Sequence, residues 1–410
     1  MRMRILHTAD WHLGKRLEDF SRLDEQFVVM NEICEIADRE HVDIVLVSGD
    51  LFDTFNPPTE AVDLFYKTLK RLSNGGRRPV LAIAGNHDSP DRIEAPDPLA
   101  RECGIIFVGY PNSVVPVFHL ETGVKISCVD KGFIELMLAE IDFPVRILVT
   151  PYANEYRLKQ FLNAEDIDSE LRRVLEDHWK NIADRYCDNS GVNILVSHLF
   201  MIKKGGPTPE EPEDEKPILH VGGAQAIFTQ NIPEQIQYTA LGHLHRMHKV
   251  DDSVSPVYYS GSPISYSFSE ANQKKFVLIA DILPGEKAEI REIELSTVRP
   301  LLRKRVNGID EAIEWLSENQ NALVELTLVT DTFITPLDKR KLNSVHQGIV
   351  TIIPEVISED LKVENRHKQI DLNRSMEELF CDYFTHEKGQ APSEDIMSIF
   401  REILAEEEEE

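Results

Sequence analysis

DIVLVSGDLFD, Asp43 to Asp53, is an apolar run rich in valine that stops abruptly at a glycine and two carboxylates. A strand with one wet face alternates apolar with polar residues. This one does not alternate, so it reads as a strand buried on both faces, as in a parallel sheet covered by helices. The chain around it agrees. Arg4 to His7 reads as a second strand. Residues 22 to 39 carry Leu23, Phe27, Met30, Cys34 and Ala37 in steps of four and three, which predicts a helix with these side chains facing the core. Residues 59 to 73 have helical spacing just after Pro57 and Pro58, and PVLAIAGNHD (79 to 88) repeats the order strand, glycine, polar. Strand, helix, strand, helix, strand implies βαβ units and a layered α/β architecture.

Three more apolar runs end in polar residues: RILVTPY (146 to 152), NILVSHL (193 to 199) and QYTALGHLH (237 to 245). KKGGPTPEEPEDEKP (203 to 217) reads as an exposed loop, and residues 275 to 282 and 288 to 295 as closing strands. Beyond residue 300 the scheme changes. RPLLRKRV, VELTLVTD and GIVTIIPEVI predict strands, with helices at 309 to 318 and 337 to 346 between them. Two amphipathic helices, 374 to 386 and 393 to 405, precede Glu406 to Glu410. The expected division is a catalytic domain over 1–298, a small α/β capping domain over 299–370 and a helical tail over 371–410.

Composition excludes several classes. With 42% hydrophobic and 28% charged residues in 410, the chain reads as a globular protein of about two domains. No apolar run approaches the ~20 residues that span a bilayer, and the run at the start is too short for a signal peptide, so a cytoplasmic protein without a membrane is expected. The five cysteines (Cys34, Cys103, Cys128, Cys187 and Cys381) are odd in number and form no CxxC pair, against a disulfide framework or a thiolate zinc site. The net charge of −27, from 44 basic and 71 acidic residues, repels nucleic acid at long range. A basic footprint therefore cannot be the argument for a DNA substrate.

The polar residues at the strand ends are more informative. Asp10 and His12 follow the first strand, Asp50 and Asp53 the second, and Asn86 and His87 the third. His198 ends a fourth run, and His243 and His245 follow a fifth. Each motif alone is more often structural: Asp-x-His is common, and GNHD suits a turn. Five in order, each at a strand end, are a different matter, because ligands in α/β sheets gather beyond the carboxyl ends of the strands. Gly49, Gly85 and Gly242 allow the backbone to turn sharply and approach closely there. Carboxylate, imidazole and amide without thiolate suit manganese, iron or magnesium. The ligands are too many for one ion, and two ions about 3.5 to 4 Å apart, sharing one carboxylate, would use them all.

In that order, DWH, GDLFD, GNHD, SH and GHLH resemble the calcineurin-like metallophosphoesterase superfamily, and within it the branch of DNA nucleases active in double-strand-break repair. The resemblance implies a layered α/β fold, a β-sandwich flanked by helices, with a smaller capping domain and a helical tail. It implies one metal held by Asp10, His12, Asp50 and His245, and another by Asp50, Asn86, His198 and His243, with Asp50 bridging. His87 would be the catalytic histidine. Some relatives carry histidine where Asp53 stands; an ionised aspartate cannot donate a proton, so Asp53 is expected to orient His87 or His12. The implied cofactor is two Mn²⁺, with Mg²⁺ or Fe²⁺ as alternatives.

The implied activity is double-strand exonuclease and hairpin or single-strand endonuclease action on DNA ends, in repair and recombination. The implied partner is a long coiled-coil ATPase, met by a homodimer within a heterotetramer. The alternative is a phosphoesterase for another phosphodiester or a phosphoprotein, although phosphoprotein phosphatases typically read GNHE. A scaffold with a dead site has no support, since every ligand position is filled. Lys15, Arg16 and Arg246 flank the motifs and meet either backbone phosphates or only solvent. The tail stripes (Met376, Leu379, Phe380, Tyr383 and Phe384; Ile396, Ile399, Phe400 and Ile403) suit either docking on the ATPase or packing within the chain.

Overall fold

The computed structural model describes residues 2–159, 167–206, 226–297, 299–331, 334–356 and 376–388, with 392, 396, 397 and 400. Most of the predicted loop at 203–217 and of the second tail helix lies outside the described residues. By contacts the chain divides into two compact units, Met1–Leu328 with Thr335–Pro354, and Val329–Ile334 with Glu355–Glu410.

In the first unit, β1 (Met3–Thr8), β2 (Ile44–Val47), β3 (Val80–Ile83) and β4 (Ile105–Val108) are joined through α1 (Leu23–Arg39) and α2 (Thr59–Leu72). The chain then builds a second sheet from β5 (Lys125–Asp130), β6 (Phe133–Met137), β7 (Val145–Thr150), β8 (Val192–His198), β9 (Tyr238–Gly242), β10 (His248–Asp251) and β11 (Val257–Tyr259), with α3 (Ile167–Tyr186) on its outer face. Finally β12 (Phe276–Ile282) and β13 (Glu289–Glu294) return to the first sheet. The sheet orders are β13-β12-β1-β2-β3-β4 and β10-β11-β9-β8-β7-β6-β5. Strands β1 to β4 run parallel to one another, as do β7, β8, β9 and β11.

The unbroken apolar runs are explained by two packed faces on each strand. Ile44 and Leu46 pack between the sheets with Ile147, Ile194 and Tyr238, while Val45 and Val47 pack under α1 and α2. On the other side Leu148, Leu195 and Leu241 pack with Leu175 and Trp179 of α3. The result is a helix–sheet–sheet–helix sandwich. One polar link crosses it: His7 Nε2 donates to the Leu241 carbonyl at 3.1 Å, and its Nδ1 accepts from the Tyr238 hydroxyl at 2.8 Å.

The α1 stripe is one place where the sequence misleads. Phe27 is 55% exposed, and the inward face is instead Gln26, Val29, Met30, Ile33, Cys34, Ile36 and Ala37. Gln26 turns inward because its amide has work there: it donates to the His12 carbonyl at 2.8 Å and accepts from the Gly14 N–H at 2.9 Å. A hydrophobic count cannot see that choice.

After β13 comes a three-stranded sheet of β14 (Leu301–Asn307), β15 (Leu323–Thr330) and β16 (Ile349–Val356), with α4 (Gly308–Glu318) and α5 (Pro336–Val345) between its strands. Thr335 caps α5 through Asp338, as a helix start requires. Leu301 and Leu323 join Leu17 and Phe268 in a small apolar cluster. In the second unit, α6 (Met376–Lys388) stacks Phe380 on Phe400 with ring centroids 4.0 Å apart, and Cys381 Sγ lies 3.5 Å from Met397 Sδ. The two tail stripes thus meet each other, while Met376 and Tyr383 stay exposed. No helix among the described residues is long and apolar enough to cross a membrane.

Candidate metal centre

Every predicted site residue sits at or just beyond the carboxyl end of a parallel strand, and the two sheets bring those ends together. Asp50 is central. Its Oδ2 lies 3.5 Å from His12 Nε2 and 3.4 Å from His198 Nε2, so one oxygen stands between two groups of ligands. On one side Asp10 and His12 cluster with Asp50, and His245 Nε2 stands 3.0 Å from His12 Nε2. On the other side His198 and His243 cluster with Asp50. There Asn86 Oδ1 is 3.0 Å from His198 Nε2 and 3.0 Å from His243 Nδ1.

These spacings fit cations held between the groups. Ligand atoms around one ion at about 2.1 Å lie roughly 3 Å from one another. Two imidazole nitrogens at that distance repel unless a proton or a cation lies between them. Among the described residues, Asp10 Oδ2 is buried without a hydrogen-bond partner, an arrangement a metal ion would satisfy. His198 donates from Nδ1 to the Ser48 carbonyl at 2.8 Å, which leaves Nε2 to face the cleft as a lone pair in the neutral ring.

Electrostatics follow from burial. It drives His243 down to about 3 and His12 well below the usual imidazole range. It also lifts Asp10 to about 7. Asp50 feels the same burial, but His198 and His12 outweigh it and hold this carboxyl well below the usual range. For His198 burial works against the charge, yet Asp50 and Asp10 push the ring up to about 9. The Asp50 carboxylate is thus charged and the His12 and His243 imidazoles are neutral, the forms in which each would bind a cation.

The backbone is bent to achieve this. Asp10, His12, Asp50 and His243 all have positive φ, at 53°, 40°, 47° and 108°. Three glycines are obligatory: a Cβ on Gly49 would fall 2.2 Å from His198 Nδ1, one on Gly85 2.1 Å from Asp50 Oδ1, and one on Gly242 1.9 Å from the Ser48 carbonyl oxygen.

His87 lies beside this centre, its ring centroid 4.8 Å from that of His12. Its Nδ1 donates to the Asp53 carbonyl at 2.9 Å, which leaves Nε2 for the cleft. The backbone of Asp53, and not its carboxylate, therefore orients His87. The carboxylate pairs with Lys15 Nζ at 3.0 Å and lies 3.7 Å from His12 Nδ1. Arg16 bonds the Asp19 carbonyl instead of facing the cleft, and Arg246 is exposed.

Three supports escaped the sequence reading. Asp88 accepts from the N–H groups of Leu51, Phe52 and Gly85 at 3.0, 2.9 and 2.8 Å, fastening the Asp50 loop to the Asn86 loop. It stood in the GNHD motif, and its position next to His87 was the only signal. Arg157, buried, donates to the carbonyls of Gly85 and Asp88 at 2.7 and 2.8 Å. Glu270 lies 3.5 Å from His245 Nδ1 and forms a buried ion pair with Lys275. Nothing in the local sequence marks either.

This arrangement, with groups that could hold metal ions on either side of Asp50, is that of a metallophosphoesterase. Residues 3–247 match the calcineurin-like phosphoesterase family, and the chain belongs to it. Over its whole length the chain is 37% identical to SbcD of the nuclease SbcCD from Bacillus subtilis (strain 168), covering 100% of this chain and 99% of that protein. The SbcD proteins of Staphylococcus epidermidis and Rhodobacter capsulatus are 28% and 32% identical, over 85% and 75% of this chain and 85% and 72% of theirs. Within the family, then, the chain stands with the SbcD proteins of SbcCD nucleases.

Proposed function

We propose that this protein is a manganese-dependent DNA nuclease that hydrolyses phosphodiester bonds at duplex ends and hairpins, working with an SbcC-type ATPase in repair and recombination. The observation that carries the mechanism is Asp50 Oδ2 between His12 Nε2 and His198 Nε2. One ion would be held by Asp10, His12, Asp50 and His245, the other by Asp50, Asn86, His198 and His243. Two such cations would neutralise the phosphodiester and acidify the attacking water.

The side chains do the rest. Asp50 fixes the spacing of the two ligand groups. His87, its Nδ1–H held by the Asp53 carbonyl, aims Nε2 at the substrate to orient the scissile phosphate and hand a proton to the leaving oxygen. Lys15, held at the mouth by Asp53, supplies a positive charge to an adjacent phosphate. Nothing in the sequence resembles a base-reading helix, so cleavage is expected to follow DNA structure and not sequence.

The length of the match to SbcD proteins supports a macromolecular substrate and an ATPase partner. The net charge of −27 supports the same view, because so acidic a chain grips DNA poorly alone. A homodimer joined to two ATPase chains is the assembly this reading implies. The test is cleavage of end-labelled duplex and hairpin DNA with Mn²⁺, with and without an SbcC-type ATPase. Hydrolysis of a small phosphodiester with no cutting of either DNA under both conditions would favour another substrate.

A further inference from the structure

The family match ends at residue 247, yet the last ligand it contains, His245, leans on residues beyond that limit. The segment 260–275 wraps around it. Ser262 N–H donates to the His245 carbonyl at 3.1 Å, and Lys275 Nζ donates to the same carbonyl at 3.1 Å and to Ser262 Oγ at 3.0 Å. Gly261 has φ +73°, and a Cβ there would fall 2.7 Å from the His245 carbonyl oxygen. Glu270 completes the cradle. Its Oε1 accepts from the Tyr266 N–H at 3.1 Å and lies 3.5 Å from His245 Nδ1, while Oε2 pairs with Lys275.

Glu270 and Lys275 have side chains only 1% and 2% exposed. A buried ion pair is a poor way to stabilise a core, since apolar residues of the same volume serve as well or better. This pair is placed where a carboxylate matters for another reason. His245 turns Nε2 toward His12 and Nδ1 toward Glu270. A carboxylate on the far nitrogen of a liganding imidazole fixes its tautomer, locks its ring orientation and raises its basicity. Lys275 in turn holds Glu270 ionised and fastens the backbone of the same histidine. The turn is anchored from outside, because Phe268 packs on Leu17, Leu301 and Leu323, with Ala271 beside them. The small sheet that supplies Leu301 and Leu323 therefore backs the brace.

We propose that Glu270 is a positioning residue for His245, presenting Nε2 to one of the two cations, so that the segment 260–275 sets the affinity of that ion and not of the other. The proposal rests on the binuclear reading above. It separates the two ions: the group of Asn86, His198 and His243 makes no contact with Glu270 among the described residues.

The test uses the full chain stripped with chelator and titrated with Mn²⁺ by calorimetry, beside thermal melting in chelator. Glu270→Met with Lys275→Met removes both charges together and leaves no buried ion unpaired. Glu270→Gln in the Lys275→Met background keeps an oxygen to accept from His245 Nδ1–H and likewise strands no ion. The double variant is expected to melt close to wild type in chelator, bind one ion as wild type does and bind the other about 10- to 100-fold more weakly. Glu270→Gln in the Lys275→Met background is expected to recover most of that loss. Unchanged affinity for both ions in the double variant overturns the proposal, as does a collapse of the chelator-state melt with both ions lost together. A wild-type chain that binds only one ion refutes the binuclear reading instead.

Discussion

Replacing Asp88 should open the metal centre without unfolding the protein. Its carboxylate accepts from three buried N–H groups, those of Leu51, Phe52 and Gly85. Each buried donor left unpaired costs about 1–3 kcal/mol, so Asp88→Ala should cost roughly 3–9 kcal/mol if the loops stayed closed. That is a large share of a whole domain's ~5–15 kcal/mol. The loops have a cheaper response: they part, and water pairs the exposed amides. Asp88→Asn keeps one oxygen. Placed at Oδ2, it still serves Leu51 and Gly85 and strands only Phe52, for about 1–3 kcal/mol. Amide hydrogen exchange in chelator reads this directly. A loss of local stability of about 3 kcal/mol means exchange at Phe52 faster by about 100-fold or more in Asp88→Ala, with Asp88→Asn between it and wild type. Strand amides such as that of Val45 should stay protected, while Mn²⁺ affinity falls because Asp50 and Asn86 ride on the parted loops. If Leu51, Phe52 and Gly85 remain as protected in Asp88→Ala as in wild type, the reasoning is wrong.

His87→Gln should leave the metal content measured by mass spectrometry unchanged and slow cleavage by about 10²–10⁴-fold; parallel loss of metal would make His87 a ligand. Gly85→Ala should weaken both ions, since its Cβ would fall 2.1 Å from Asp50 Oδ1 and must displace it; titration with Mn²⁺ is the check. At Asp251, burial raises the carboxyl, but hydrogen bonds from Lys203, Ser253 and Thr229 outweigh it and hold it well below the usual range. A depressed acid stabilises above its unfolded value, near 4, and that gain disappears as pH falls further. Urea midpoints below pH ~4 should therefore drop less steeply in Asp251→Asn, by up to about 1.4 kcal/mol per pH unit. A chain ending near residue 370 should still hydrolyse a small chromogenic phosphodiester but fail to co-purify with an SbcC-type ATPase; undiminished binding would move the docking surface elsewhere.

The layered fold and the meeting of the strand-end polar residues in one place were legible for one shared reason. A strand buried on both faces leaves an unbroken apolar run, and the run's end marks where polar side chains converge; Val45 and Val47 lead to Asp50 in this way. What could not be read depends on partners remote in sequence. Arg157 bonds carbonyls more than 65 residues away, at Gly85 and Asp88. Glu270 is buried because Lys275 and His245 are folded against it. Phe27 was misplaced for the converse reason: Gln26 outcompeted it for the inward position through bonds to His12 and Gly14. The tail stripes were visible as stripes, but periodicity alone could not tell that Phe380 would stack on Phe400.

The conformations of the ligand residues explain how so polar a centre is tolerated. Left-handed backbone at a non-glycine residue costs of order 1–3 kcal/mol, and Asp10, His12, Asp50 and His243 all adopt it. The bends let the loops after β1 and β2 continue the sheet's bonding: Asp10 N–H reaches the Gly49 carbonyl at 3.0 Å, His12 N–H that of Asp50 at 2.9 Å, and Leu13 N–H that of Leu51 at 3.1 Å. His243 N–H bonds Asp10 Oδ1 at 2.8 Å and ties in the second sheet. Strain in each residue is thus offset by bonds between loops, while Asp10 Oδ2 is left buried with no hydrogen-bond partner among the described residues. The acidity of the chain then acts in two directions. A field of −27 repels a polyanion, yet it draws divalent cations into a cleft already shaped for them. Bound there, such cations would make that cleft attractive to a phosphodiester while the surrounding surface stays repulsive. Such a protein selects the bond to be cut and leaves the holding of the polymer to something else, which is why a partner with its own grip on DNA belongs to the proposed function.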